Sequence, residues 1–273
     1  MTPLVQQPYR MVVTDIDGTL VDAEQNISDR NKEMIRAFQR RGGIVTLATG
    51  RMEDAARHYV RELDIRHPVI LYNGGKIVDF HTGQCHYEAT LTEDVVRTSI
   101  KLTEKQPLDM IVYSDMKLWV REMTPVIREY MKKDRVQCRP WDTPDFLFQS
   151  KVNKILIIKN DQDFSPVLEA LAPMAGTRCE LVRSEPTYLE ILPASVSKGR
   201  ALKMLVDRMG IDIREVIAIG DNLNDLEMIR EAGLGVAVEN AHPQLKQHAQ
   251  YIAASNLDHA VADVIQKFCL PNH

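Results

Sequence analysis

The chain has 273 residues, 44% hydrophobic and 26% charged, enough to bury one or two cores, and this composition excludes the disordered and fibrous classes. A formal net charge of −4 offers no basic footprint for nucleic acid, and apolar runs such as Ile155–Ile158 are far too short to span a membrane. Met1–Arg10 lacks the apolar core of a secretory signal, while Cys85, Cys138, Cys179 and Cys269 are scattered, with no C-x-x-C pair and no histidines at ligand spacing. Reduced thiols in a cytoplasmic protein are the expectation.

Met11 to Thr14 is β-prone and runs straight into Asp15-Ile16-Asp17-Gly18-Thr19. Alternation along an extended segment puts the Asp15 and Asp17 side chains on one face, and two carboxylates there repel unless a cation or a shared proton offsets them. Oxygen donors of this kind suit Mg²⁺, which binds one or two carboxylates together with substrate phosphate. A strand ending in an Asx-type turn would carry the same residues. Ser28 then caps a predicted helix with Met34, Ile35 and Phe38 inward, stopped at Gly42-Gly43. Ile44–Ala48 is a buried strand entering Thr49-Gly50-Arg51, followed by a helix from about Glu53 to Leu63 and a short strand, Val69–Tyr72, ending at Asn73-Gly74-Gly75. Strands alternating with helices predict a parallel sheet of right-handed βαβ units with its ligand crevice at the carboxyl ends.

From Lys76 the rhythm changes. A hairpin (76–79 and 84–87), a helix over 92–105, strands at 109–113 and 118–122, a helix over 125–133, a proline-marked loop over 139–145, a strand over 152–158, a helix over 164–174 and strands at 179–183 and 188–192 suggest an inserted α+β module. The parallel pattern resumes with Ser197 capping a helix that Gly210 stops. A strand over 215–219, a helix over 227–231, a strand over 235–238 and a terminal helix over 257–268 follow. The predicted fold is α/β: a Rossmann-like doubly wound core of residues 1–82 and 187–273, interrupted by an α+β domain of residues 83–186.

Four polar sites follow core strands or open helices: Asp15-x-Asp17-Gly-Thr, Thr49-Gly50, Lys198 in Ser197-Lys-Gly, and Gly220-Asp221-Asn222-Leu223-Asn224-Asp225. Singly, each has a plain structural reading. Thr49-Gly50 is a strand-to-helix connection, Lys198 a surface lysine, and Asp221 and Asp225 acids of a first helical turn. Lys198, however, opposes the helix macrodipole, so helix stability does not explain it. Together the sites supply a carboxylate nucleophile, carboxylates for a metal, a cation and short donors for phosphate oxygens, the parts phosphoryl transfer needs.

These four motifs resemble those of the haloacid dehalogenase (HAD) superfamily of aspartyl-phosphate phosphatases. The large insert, Asn73-Gly74, and Glu190-Ile-Leu-Pro193 leading into Ser197-Lys-Gly resemble the Cof-like IIB branch with its C2-type (C2B) cap. Thr14 departs from the pattern, standing where an apolar residue is usual. The resemblance implies a Mg²⁺-dependent phosphatase of small phosphorylated metabolites, sugar phosphates first. Asp15 would form a phospho-aspartyl intermediate, and Asp17 would serve as general acid and then general base. Mg²⁺ would be held by the Asp15 carboxylate, the Asp17 backbone carbonyl and Asp221, with Asp225 behind them. Thr49, Lys198, Asn224 and the backbone N–H groups near Ile16 and Gly50 would hold phosphate. Rival readings are a phosphomutase of the same fold, for instance of hexose phosphates, and a non-catalytic phosphometabolite-binding regulatory module. The expected partner is a small phosphorylated metabolite, with no nucleic acid and no membrane, in a monomer or weak homodimer. Arg121, Lys154 and Tyr188 are polar candidates for substrate contact in the insert, each equally at home on a solvated face.

Overall fold

The structure, a computed structural model, describes residues 9–105 and 108–270. In chain order it contains β1 (Met11–Thr14), α1 (Asp29–Arg40), β2 (Ile44–Leu47), α2 (Glu53–Glu62), β3 (Val69–Leu71), β4 (Lys76–Val78), β5 (Cys85–Glu88), α3 (Glu93–Lys105), β6 (Asp109–Ser114), β7 (Lys117–Val120), α4 (Pro125–Asp134) and β8 (Cys138–Pro140). There follow β9 (Val152–Ile158), α5 (Ser165–Leu171), β10 (Cys179–Glu185), β11 (Tyr188–Pro193), α6 (Lys198–Met209), β12 (Val216–Gly220), α7 (Leu226–Glu231), β13 (Leu234–Ala237), α8 (Pro243–Lys246), β14 (Tyr251–Ile252) and α9 (Ala260–Phe268). The described residues divide into two compact units. One draws on residues 9–50, 58–86 and 197–270, the other on residues 51–57, 87–105 and 108–196.

The first unit is built on a parallel sheet in the order β14-β13-β12-β1-β2. β1 lies in the middle, with Met11–Thr14 registered on Val216–Ile219 on one side and Ile44–Leu47 on the other. All four of its residues are buried, as its central place in a parallel sheet requires, the apolar Met11–Val13 and the polar Thr14 alike. A bridge between Ala48 and Ile70 brings β3 alongside the end of β2. From β1 the chain winds outward through β2 towards β3; it later re-enters at β12 and winds the other way. The order therefore reverses between β1 and β12, which makes this the switch point where open α/β sheets place their ligands. Right-handed crossovers in opposite directions set helices on both faces, with α1 packed on α9 and α6 on α7.

Local chemistry explains the helix limits. The Ser28 hydroxyl accepts the Asn31 N–H at 3.2 Å to start α1, and the buried Asn31 side chain donates to the Leu20 carbonyl and accepts the Ala262 N–H, tying α1 to α9. Ser197 accepts the Arg200 N–H at 3.1 Å to start α6, and Gly210, at φ +65°, ends it in a left-handed cap.

The second unit carries a six-stranded sheet in the order β10-β11-β9-β6-β7-β8. One face buries Met110, Val112, Ile155, Ile157, Leu189 and Ile191 against α3 and α5. Two expectations change here. β11 is an interior strand between β10 and β9, so this unit extends to Val196 instead of stopping at Pro186. The segment expected as a loop from Arg139 begins with β8, a parallel edge strand ending in Pro140; an edge tolerates proline because one row of its donors needs no partner. Among the described residues no helix is long and apolar enough to cross a membrane.

Candidate active site

Because β1, β2, β3 and β12 run parallel or end side by side, the turns that follow them gather at one end of the first unit. Asp15 directly follows β1, and its N–H donates to the Ile219 carbonyl of β12 at 2.9 Å. Thr49 follows β2, Asn73 follows β3, and Asp221 follows β12. Lys198 opens α6. The four motifs that are far apart in sequence are thus neighbours in space.

At the centre is a buried charge cluster. Lys198 is fully buried, and its Nζ donates to Asp15 Oδ1 and to Asp225 Oδ1, both at 2.7 Å. Asp225 is itself fully buried; its other oxygen accepts the N–H groups of Asp221 (3.0 Å) and Asn222 (3.1 Å). Asp225 is thereby spent on holding Lys198 and shaping the loop. Asp221 accepts the Thr19 hydroxyl at 3.1 Å. Carboxylate oxygens of Asp15, Asp221 and Asp225 all lie within 4.8 Å of one another.

Such crowding raises the acids. Burial pushes Asp15 well above the usual carboxylate range, with Lys198 pulling the other way and Asp225, Asp221 and Asp17 adding to the rise. Burial, then Asp225, pushes Asp221 up to about 7 against the pull of Lys198 and Thr19. Burial alone would lower Lys198, but Asp15 and then Asp225 outweigh it and hold its pKa above the ordinary lysine value. A hard divalent cation would relieve the repulsion between these oxygens, so the donor set fits Mg²⁺. Asp15 and Asp221 would offer it carboxylate oxygens.

The glycines show how closely the loops approach. Gly18 sits at φ +72°, and a Cβ there would lie 2.5 Å from Asp221 Oδ2. Asp17, between Ile16 and Gly18, is exposed and so can reach a substrate. Ile16 is buried, and its N–H makes no hydrogen bond among the described residues, leaving a donor beside Asp15. Thr49 is buried, its N–H donating to the Ile70 carbonyl and its own carbonyl accepting the Asn73 N–H, each at 2.9 Å; Gly50 follows it. Asn224 donates its amide to Asn73 Oδ1 at 3.0 Å.

The structure adds contacts that sequence reasoning lacked. Thr19 had no assigned role, although it lies within the first motif, and it orients Asp221. Asn73 has no site role in the sequence reading, yet it meets both Thr49 and Asn224. The unusual Thr14 is buried and donates its hydroxyl to the Asp15 carbonyl at 2.8 Å, which satisfies it. The three polar candidates of the insert are engaged within the second unit. Arg121 donates to the Thr103 carbonyl, Lys154 pairs with Glu190 at 3.1 Å with both side chains buried, and Tyr188 has the Lys133 ammonium 4.8 Å from its ring centre.

The family model of haloacid dehalogenase-like hydrolases matches residues 12–265. A Bacillus subtilis protein named 5-amino-6-(5-phospho-D-ribitylamino)uracil phosphatase YcsE is 30% identical over 263 residues, covering 96% of each chain. The crystal structure of a haloacid dehalogenase-like hydrolase from Bacteroides thetaiotaomicron is 30% identical, with a TM-score of 0.87 over 95% of this chain and 99% of that one. The HAD subclass IIB sugar phosphatase BT4131 superposes with a TM-score of 0.83 over 96% of this chain and 100% of its own length at 21% identity, a likeness of fold.

Proposed function

The chain belongs to the haloacid dehalogenase-like hydrolases, and we propose that it is a Mg²⁺-dependent phosphatase of small phosphorylated metabolites, sugar phosphates foremost. The observation that carries this reading is the buried Asp15 carboxylate, held at the sheet's switch point by Lys198 with Asp221 beside it and the exposed Asp17 two residues on. A pure binding site has no use for that second, accessible acid.

The proposed reaction has two halves. An Asp15 carboxylate oxygen attacks phosphorus, forming a P–O bond to the enzyme while the ester P–O bond breaks. Asp17, protonated, gives its proton to the departing alkoxide. A water then attacks the phosphorus of the phospho-aspartyl group, Asp17 takes the proton of that water, and the bond to Asp15 breaks, restoring the carboxylate and releasing phosphate. Lys198, Thr49, Asn224 and the N–H groups at Ile16 and Gly50 hold the phosphoryl oxygens through both halves. The Asp15 and Asp221 carboxylates and the Asp17 carbonyl would hold Mg²⁺, which would supply charge neutralisation between the carboxylate and a phosphate dianion.

The 30% identical Bacillus subtilis relative, named for a phosphoribitylamino compound, supports a phosphorylated polyol or sugar as the substrate class. The second unit, read as the specificity domain, would choose the leaving group. The four free cysteines support a cytoplasmic setting. A panel of phosphorylated metabolites, assayed for phosphate release with Mg²⁺ and with EDTA, tests the reading. Mg²⁺-dependent release that Asp15→Asn abolishes is expected. Release that survives in Asp15→Asn would refute it, and interconversion of hexose phosphates without net release would make the chain a mutase.

A further inference from the structure

Three successive residues after β3 have left-handed backbones: Tyr72 at φ +51°, Asn73 at +55° and Gly74 at +100°. A tyrosine rarely adopts that conformation, and runs of such residues are costly, so surrounding contacts must hold the turn in place. Those contacts lead to three other motif loops. The Asn73 N–H donates to the Thr49 carbonyl at 2.9 Å. Asn73 Oδ1 accepts from the Asn224 amide at 3.0 Å. Gly74 presses against the residue preceding Lys198, for a Cβ at Gly74 would lie 2.1 Å from the Ser197 carbonyl oxygen and 3.0 Å from the Lys198 nitrogen. Tyr72 and Asn73 are both buried.

We propose that Asn73 is a positioning residue of the phosphatase site, locking Thr49 and Asn224 into one phosphate-holding array while its left-handed turn backs Lys198. The strongest single observation concerns Asn224. Its amide makes one hydrogen bond among the described residues, the one to Asn73, and its own Oδ1 is buried without a partner. Asn73 therefore sets which way that amide faces. The backbone matters as well as the side chain. Asparagine tolerates the left-handed region better than other residues with a side chain, so one residue type supplies both the required φ and the acceptor. The inference rests on the phosphatase reading, because it assigns Asn73 a task only if Thr49, Lys198 and Asn224 hold phosphate.

The test is a double-mutant cycle in the full chain with Mg²⁺. Asn73→Gly keeps the left-handed backbone and deletes the amide; Asn224→Ala deletes its partner. Binding of inorganic phosphate by calorimetry and the separate kcat and KM values for the best substrate are read for both single variants and the double. Each single variant is expected to weaken phosphate binding and raise KM by about tenfold, the cost of one lost hydrogen bond. The double is expected to be no worse than the weaker single, because the residues act through one contact. A merely structural role would lower the active fraction, and with it kcat, without moving KM. Asn73→Gly with phosphate affinity and KM within twofold of wild type would overturn the proposal, as would losses that multiply in the double. Wild type that binds phosphate but hydrolyses no phosphomonoester defeats the hydrolase reading alone, since the cycle on phosphate still decides Asn73. Wild type that binds no phosphate overturns both.

Discussion

Replacing Lys198 with methionine keeps the length of the side chain and removes one charge from a fully buried position. Its Nζ lies 2.7 Å from a carboxylate oxygen of Asp15 and 2.7 Å from one of Asp225. At an effective dielectric of about 20, each contact corresponds to about 6 kcal/mol of attraction, and removing the ammonium from water offsets several kcal/mol of that. Deleting one member of such a buried group costs about 3–5 kcal/mol, because the remaining charges are left without compensation. For a chain of this size, that lowers the melting midpoint by roughly 10 °C. The loss depends on pH. Burial already holds Asp15 and Asp221 above the usual range, and without Lys198 the largest pull against that rise is gone. The folded variant therefore binds protons more tightly than its unfolded chain, so its stability is present at low pH and is lost as pH rises. Circular dichroism melts of metal-free protein at pH 5 and pH 8 should show the larger deficit at pH 8. Turnover with Mg²⁺ should fall at least about a hundredfold, the cost of losing one strong donor to the transferring group. Lys198→Met combined with Asp225→Asn should recover part of the stability and none of the turnover. A Lys198→Met midpoint equal to wild type at pH 8, or a larger deficit at pH 5, would refute the reasoning.

Gly18→Ala forces a Cβ to within 2.5 Å of Asp221 Oδ2 at φ +72°, so the Mg²⁺ concentration for half-maximal activity should rise about tenfold while the fold persists; an unchanged Mg²⁺ titration would contradict the placement of Asp221. Lys154→Met leaves Glu190 buried without its ion-pair partner and should destabilise the protein by about 3 kcal/mol, read as a lower urea midpoint, whereas an unchanged midpoint would show the pair to be dispensable. Burial pushes the Cys138 and Cys269 thiols up to about 12, so native protein at pH 8 should be alkylated first at the exposed Cys85, as peptide mass spectrometry would show. Because the folded state keeps those two thiol protons after the unfolded chain has released them near 9.0, stability should decline as pH rises from there towards 12; a flat denaturation midpoint over that range would argue against their burial.

The core strands and their capped helices were legible because their signals are local. Ser28 and Ser197 are hydroxyl caps, Gly210 is a left-handed stop, and Met11–Val13 is an apolar run of the kind a central parallel strand buries on both sides. The site was legible for a related reason. Parallel strands bring their carboxyl ends together, so acids after one strand and a lysine at a helix start become neighbours once the topology is known. What sequence hid was pairing that depends on tertiary contact. β8 has only three residues and ends in proline, and its membership of a sheet rests on its neighbour β7. β11 lies beyond the expected insert boundary at residue 186, while its hydrogen bonds go to β10 and β9. α8 and β14 are too short to carry a period. Asn73 looked like a turn residue because nothing in its own neighbourhood points to Asn224, 151 positions away.

The central claim is that Asp15 carries the phosphoryl group. Rapid acid quench of the enzyme with a ³²P-labelled substrate found in the metabolite screen, followed by peptide mapping, tests it most directly. The account predicts label on the peptide containing Asp15 in wild type and none in Asp15→Asn. Label that never appears on protein in wild type, while phosphate release proceeds, would contradict it.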